Sequence, residues 1–266
     1  MTTRLASLLT GTFLAPAVCF AQGGTAEDLA KQLANPVASL ISVPLQSNLD
    51  FGIGPKDDGF RYTLNIQPVI PITLTPEWNL ISRTILPIVY QSDIFPGSGD
   101  QFGLGDTTQS FFFSPAKPGP GGLIWGVGPV VLLPTATDEL LGGEKWGAGP
   151  TVVALTQRGP WTFGILANHI WSFAGDDARS DVSQTFLQPF VSYTFPNGFG
   201  VIVNTETTYD WEGEQWTVPI LVGVSKVLKI GAQPVSLALN GRYWVEGPDS
   251  APDWGIRFVV TFLFPK

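Results

Sequence analysis

Residues 60–70 read FRYTLNIQPVI, with Phe60, Tyr62, Leu64, Ile66, Pro68 and Ile70 on one parity and Arg61, Thr63, Asn65 and Gln67 on the other. A period of two sends these sets to opposite faces of a strand, so the two faces meet different media. In a soluble sandwich the apolar face meets a core. In a membrane barrel it meets lipid, and the polar face lines the lumen. The alternation recurs elsewhere. Phe258, Val260, Phe262 and Phe264 oppose Arg257, Val259, Thr261 and Leu263; Val235, Leu237, Leu239 and Tyr243 oppose Ser236, Asn240, Arg242 and Glu246. Asn204, Glu206 and Thr208 likewise oppose Val203, Tyr209 and Trp211. Segments 122–134 and 160–174 alternate poorly, which predicts a partly apolar inner face there.

The pattern predicts twelve strands, over about 37–51, 60–72, 77–91, 104–115, 122–134, 146–158, 160–174, 182–195, 199–210, 215–228, 232–246 and 253–265. Each is roughly 11 to 15 residues long, against about 5 or 6 for a soluble strand and about 9 to 11 for a tilted strand crossing a bilayer. The connections alternate in kind. GIGPKDDG, QSDIFPGSGDQFG, TATDELLGGEK, AGDDARSD, DWEGEQ and EGPDSAPD form one set; the other contains TLTPE, QRGP, FPNGF, KIGAQ and the longer PAKPGPGG. With Asp106 at the edge of its second loop, the first set holds 17 of the 22 acidic residues. A barrel with long outer loops and short periplasmic turns has two such rims, so the acidic rim is expected to face outward. Trp78, Tyr90, Trp161, Tyr193, Phe195, Tyr209, Trp211 and Trp216 fall near strand ends, where aromatic girdles belong. Against this stand Pro44, Pro68, Pro129, Pro150, Pro189 and Pro219, all inside predicted strands. Each removes a ladder donor, and a closed barrel has no free edge to excuse it. Bulges, or donors turned toward a wet lumen, are the ways out.

One stretch, TAEDLAKQLA (25–34), reads as a helix, with Thr25 as cap, Glu27 and Asp28 in the first turn and Asn35-Pro36 as its stop. It is expected to lie in a short periplasmic arm over 22–36; a plug entering the lumen is the alternative. Ahead of it, Arg4, an apolar run from Leu5 to about Val18, and Cys19-Phe20-Ala21 make a secretory signal peptide over 1–21, cleaved after Ala21. The mature chain then has no cysteine and no disulfide. Residues 37–266 are left as one all-β domain, a twelve-stranded antiparallel up-and-down transmembrane β-barrel in the outer membrane.

Composition agrees with that environment. Only 14% of residues are charged, against roughly 25% in an ordinary soluble domain, while 9 Trp and 18 Phe are present. A net charge of -8 argues against a nucleic-acid partner.

Six segments together are also informative: LANPVASLISVP (33–44), WNLISRTILPIVYQ (78–91), LPTATDELLGGEKWGAGPT (133–151), NHIWSFAGDD (168–177), TYDWEGEQWTVP (208–219) and YWVEGPDSAPDWGIRFVVTFLFPK (243–266). They resemble bacterial proteins labelled "neuromedin U", a label borrowed from an animal peptide. The group is similar to the outer-membrane barrel superfamily that includes phenol-degradation MetA-type transporters. The resemblance spans the mature chain and implies an outer-membrane barrel, but supplies no catalytic motif and no substrate. Where barrels commonly end on an aromatic residue, this chain runs two residues past Phe264.

Chemistry points to the lumen. The only histidine is His169, with Ser172 three residues on. Residues at that spacing point to opposite faces of a strand, which opposes a Ser/His pair. The acids lack calcium-loop spacing, and the Gly-rich GIGPKDDG and GLGD lack the helix start of a phosphate loop, so no metal, nucleotide or other cofactor is expected. Asp50, Arg61, Arg242 and Arg257 are predicted inward-facing charges toward the acidic rim, with Arg83 and Glu206 deeper and Asn65 and Gln67 beside them. Asp50 and Arg257 are expected to meet across the seam of the first and last strands. Such charges form either a constriction that selects solutes or a salt-bridge lattice filling a closed barrel. The expected function is passive passage of small, including organic, solutes. A non-conducting structural or adhesion-type barrel is the alternative, and a lipid-active enzyme a third class. The acidic loops are expected to meet lipopolysaccharide through divalent cations.

Overall fold

The computed structural model describes residues 24–265. The predicted signal peptide, its cleavage point and Cys19 lie outside them. The elements are α1 (Ala26–Leu33), β1 (Ile41–Ile53), β2 (Gly59–Ile66), β3 (Val69–Thr73), β4 (Trp78–Ser92), β5 (Asp100–Leu104), β6 (Thr107–Pro115), β7 (Leu123–Leu133), β8 (Lys145–Arg158), β9 (Trp161–Gly175), β10 (Ser183–Thr194), β11 (Phe199–Thr205), β12 (Thr207–Asp210), β13 (Gln215–Ile230), β14 (Gln233–Glu246) and β15 (Trp254–Phe264). Three pairs of segments, β2/β3, β5/β6 and β11/β12, each form one interrupted strand, so fifteen segments make twelve barrel strands. Every strand pairs antiparallel with its sequence neighbours, and β1 pairs with β15 from Ile41↔Phe264 to Phe51↔Trp254, which closes the ring. Closure leaves no free edge, the condition for strands to survive where no water can pair with the backbone.

The side chains are arranged inside out. Large apolar groups face outward and exposed, such as Phe258 at 43%, Leu239 at 53% and Val222 at 54%, while inward polar groups such as Gln91 at 1% and Asn48 at 3% are buried. A charge facing hydrocarbon at mid-depth costs about 2–4 kcal/mol, so this sorting stabilises the barrel only in lipid. Rings collect at both ends of the strands. Trp161, Tyr193, Phe195 and Phe199 form a contiguous chain at the short-turn end, and Tyr90, Phe60, Phe51 and Trp254 form another at the long-loop end. Lys226 points outward near the turn end, and its Nζ reaches the Asn197 carbonyl at 2.7 Å, the behaviour of a cation avoiding hydrocarbon.

The strand prolines sit where the ladder is broken. Pro129 and Pro150 face each other across β7 and β8. On their far sides the β6–β7 ladder skips Phe111 and Phe112, and the β8–β9 ladder skips His169 and Ile170. Gly128 and Gly149, which precede these prolines, are the compensation. A Cβ on either would collide with the carbonyl of Phe111 or His169 leaning over it. Pro219 lies at the bulge that pairs Val218 with Glu246 but Pro219 with Trp244. Pro68 falls in the gap between β2 and β3 and accepts from the Thr84 amide, while Pro44 accepts from the Gln67 amide. Pro189 lies opposite the interruption of β11 and β12, where Glu206 sits.

The N-terminal segment corrects two expectations. The helix forms with a full capping box between Thr25 and Asp28, but it is not a separate arm. Leu29, Ala38 and Leu40 pack on inward-facing Val227 and Leu263 at the turn end, with Ala26, Ala30 and Leu33 around them. The first strand begins at Ile41 rather than 37, because Val37 is drawn inside against Ile81, Phe112, Val153, Leu155, Leu166 and Phe190. The Gln157 side-chain amide also donates to the Lys31 carbonyl at 2.9 Å. The weak alternation of 122–134 and 160–174 has its cause here: inner faces of the β7–β10 wall carry apolar groups that receive Val37.

Gly149→Ala is expected to destabilise the barrel at or beyond the upper end of the ~1–3 kcal/mol typical of overpacking. Loss of the fast-migrating folded band on unboiled gels of the purified protein checks it, with Gly231→Ala in a turn as a milder comparison.

Candidate lumen site

Register dictates which charges meet. Asp50 lies opposite Gly255 on β15, and Gly255 lies opposite Arg242 on β14. With no side chain between them, Arg242 reaches across β15 and its Nη1 meets Asp50 Oδ1 at 2.6 Å; a Cβ on Gly255 would strike that same oxygen. The Arg242 guanidinium also stacks on Trp244 at 4.5 Å. Arg257 lies one step deeper, opposite Asn48 and Asn240. Its Nε donates to Asn48 Oδ1 at 2.6 Å, and its two Nη atoms grip Glu206 Oε1 and Oε2 at 2.6 and 2.7 Å. This fork is the strong form of a carboxylate pair.

One sequence expectation is thereby corrected and a second extended. Asp50 pairs with Arg242, not Arg257, because the seam register offsets Asp50 from Arg257 by two residues. Glu206 faces Arg83 in the deeper layer as expected, but it also pairs with Arg257, one of the charges expected nearer the rim, because the gap between β11 and β12 opposite Pro189 frees the Glu206 backbone and the side chain turns toward the seam.

The other two arginines are held by neutral amides. Arg61 Nε donates to Gln91 Oε1 at 2.9 Å, and the Gln91 amide nitrogen donates to Gln101 Oε1 and the Leu140 carbonyl. Arg61 is thus one link in anchoring the 135–144 loop over the loop-end mouth. Asp106 holds the same loop through the Ala136 and Gly143 amides, and Arg179 donates to the Glu139 and Gly142 carbonyls. Beside it Lys145 pairs with Asp181 at 3.0 Å, and hydrogen bonds from Lys145 and Ser172 hold that carboxyl below its ordinary range. Arg83 Nη2 contacts Gln67 Oε1 at 3.3 Å. Among the described residues the acids that face Arg61, Arg83, Arg242 and Arg257 are Asp50 and Glu206, so this part of the lumen carries a positive excess in a chain whose net charge is -8.

The interior holds a cavity of about 490 Å³ lined by Asp50, Asn65, Gln67, Arg83, Glu206, Arg242 and Arg257 among others. A second cavity of about 210 Å³ continues below it, between the wall and the N-terminal segment, with Gln67, Arg83, Gln188 and Asn204 shared by both. Arg61 stands apart from both cavities. Residues that the sequence did not single out belong here too. Gln188, Ser192 and Asn204 line the larger cavity, and Leu33 and Ala34 close its turn end. For Gln188, Ser192 and Asn204 the signal was present as inward parity on β10 and β11; for Leu33 and Ala34 nothing in the sequence placed a helix inside the ring.

His169 turns outward. Its Nδ1 lies 2.7 Å from Thr185 Oγ1 and its ring packs on Trp171, whereas Ser172 bonds Asp181 and the Val182 amide. Among the described residues no group of three His, Cys, Asp or Glu side chains is placed to hold a metal ion.

The closed ring and its polar interior have a counterpart among solved structures. An outer membrane channel from Pseudomonas putida F1, known from a crystal structure, superimposes on 85% of this chain and 96% of its own, with a TM-score of 0.68 at 14% identity. The chain has the fold of an outer-membrane β-barrel. Two further outer-membrane barrels align more loosely. The KdgM porin, solved with disordered oligogalacturonate, covers 85% of this chain and 99% of its own at 9% identity and a TM-score of 0.45. Outer membrane phospholipase A from Escherichia coli covers 91% and 99% at 12% identity and the same TM-score of 0.45. No protein-family model matches the chain, and no curated protein matches it.

Arg257→Met alone is expected to cost up to about 3 kcal/mol, because the half-buried Glu206 carboxylate loses both of its hydrogen bonds and keeps only Arg83 and Arg242 as more distant counter-charges. Arg257→Met with Glu206→Leu is expected to cost much less. Urea unfolding of the barrel in lipid vesicles, followed by tryptophan emission, measures both.

Proposed function

We propose that the protein is an outer-membrane channel for passive passage of small solutes, organic ones included, exported through a cleaved signal peptide. The observation that carries this reading is the pair of adjoining cavities, with lining residues in common, along a polar-lined interior toward the turn end. The resemblance of six sequence segments to the "neuromedin U"-labelled barrels and their MetA-type transporter relatives supports it. In this orientation the short turns face the periplasm and the acidic loops face outward. Asp57, Asp58, Asp138 and Glu139 on those loops meet lipopolysaccharide through divalent cations.

A second reading, a non-conducting structural barrel, is favoured by one feature: the apolar cluster of Val37 with Ile81, Phe112 and Leu166 fills the turn end. The two readings differ in what undocking the N-terminal segment does. Leu29→Asp with Val37→Asp buries carboxylates in apolar surroundings, which the docked segment does not tolerate. Under the channel reading this variant shows a several-fold larger single-channel conductance than the parent in planar bilayers. Absence of conductance from both proteins establishes the structural barrel instead.

The cap gives a graded version. Thr25→Ala removes an N-cap bond worth about 1 kcal/mol and is expected to raise the open fraction roughly fivefold. Acid acts through the same box. The Thr25 amide and hydroxyl hold the Asp28 carboxyl below its ordinary range. A lowered folded value means the cap's contribution is present above the ordinary carboxylate range and is lost as pH falls through the lowered value. Opening events are expected to become more frequent as pH falls below the ordinary carboxylate range, with a smaller rise in Asp28→Asn.

A further inference from the structure

We propose that the junction of the two lumen cavities is a binding site for a small organic carboxylate with an apolar body, and that Arg83 receives its carboxylate. This deepens the channel reading by naming a solute class, and rests on it for the route by which the ligand arrives.

The four lumen arginines are not equivalent. Arg242 and Arg257 are neutralised by Asp50 and Glu206, and Arg61 is tied through Gln91 to the loop-end mouth. Arg83 carries five N–H donors, and the hydrogen bond it makes among the described residues is one long contact with the neutral amide of Gln67. Glu206 is the carboxylate near enough to act on Arg83, but its two oxygens are bonded to Arg257, so the half-buried Arg83 guanidinium has no carboxylate bonded to it among the described residues, and an incoming anion supplies one. Glu206, the lumen acid that would repel such an anion, is already gripped by both Nη atoms of Arg257.

The surroundings of Arg83 supply the rest of a site. Ser192 Oγ and Asn204 Oδ1 are buried without a hydrogen-bond partner, and both residues line the larger cavity with Arg83. Ser192 is itself only 7% exposed. A serine hydroxyl can donate, and the oxygen and nitrogen of an asparagine amide exchange places by rotation, so both residues can present donors to a carboxylate. Arg83 and Asn204 also line the smaller cavity, whose remaining wall includes Leu40, Val69, Leu166 and Phe190. A carboxylate on Arg83 therefore has an apolar wall on its turn-end side. A wholly hydrophilic anion leaves that wall unused, and an uncharged organic molecule leaves Arg83 unpaired. An amphipathic acid satisfies both, with a guanidinium fork suited to planar oxygens.

The experiment is calorimetric titration of the folded, detergent-purified barrel with benzoate, acetate and benzyl alcohol, each variant first shown to fold by its unboiled gel mobility. Benzoate is expected to bind at least tenfold more tightly than either acetate or benzyl alcohol. Arg83→Gln is expected to weaken benzoate at least tenfold, with Arg83→Lys between the two. No benzoate binding by the parent barrel, equal affinity for the three compounds, or an unchanged affinity in Arg83→Gln overturns the proposal. Conductance measured on the same preparations separates the two readings. Benzoate binding without conductance upholds the site and overturns passage; conductance without benzoate binding does the reverse.

Discussion

Backbone pairing in a closed ring is the constraint from which the rest of this molecule follows. In hydrocarbon an unpaired N–H or C=O costs several kcal/mol, and only a ladder that returns to its own first strand satisfies all of them. The return is made by β1 on β15, from Ile41↔Phe264 to Phe51↔Trp254. Once the ring is closed, the period of two leaves each strand one face for lipid and one for the interior. Polar side chains have nowhere else to go. The interior charges are a consequence of closure, and the register of closure decides which of them touch.

The same constraint explains why irregular backbone gathers around the interior site. A proline inside such a ring removes a donor that no solvent can replace, so the neighbouring strand has to give way locally. Opposite Pro129 and Pro150 it does so by a skipped ladder and a glycine that admits the displaced carbonyl. Opposite Pro189 it does so by interrupting β11 and β12 at Glu206. That interruption turns a residue of the wall into one that leans across the lumen toward Arg257. Gly255 does the complementary thing by absence: its missing side chain is the passage through which Arg242 reaches Asp50. Chain-breaking residues that weaken a soluble sheet here set the positions of the buried ion pairs.

Much of the fold was legible because alternation is a strong signal when both faces of a strand are specified by different solvents. FRYTLNIQ fixes the facing of β2 without help from any other segment. The division of acids between alternate connections fixes which loops share a rim. The pairing of charges was less legible, since it depends on a two-residue offset at the seam that no local pattern encodes. Asp50 and Arg257 have the right facing and the wrong level. The N-terminal segment was least legible. TAEDLAKQLA carries a clear cap and stop, so the helix could be read, but its apolar face is small and does not say what covers it. Val37, Ala38 and Leu40 read as strand because they alternate into one. Val37 is instead claimed by an apolar patch centred on the β7–β10 wall, and Ala38 and Leu40 by Val227 and Leu263, patches that exist only after the barrel has formed.

Glutamine at positions 67 and 91 is the detail that turns a lattice into a site. Carboxylates at both positions would complete a second set of ion pairs, and the lumen would be neutral and self-contained, as a purely structural filling requires. A neutral amide instead orients each guanidinium without discharging it. At Gln91 the amide spends its remaining donors on Gln101 and the Leu140 carbonyl, so the charge of Arg61 serves to anchor a loop. At Gln67 the contact with Arg83 is long and single, and the cavity on either side of it remains open to a partner. The positive excess is therefore unevenly distributed. Of the two arginines held by amides, Arg83 is the one that lines the cavities, at the level of the lumen where polar wall gives way to apolar wall. An interior selected only for packing would not need that coincidence, whereas an interior that recognises an amphipathic anion requires both parts of it at the same depth.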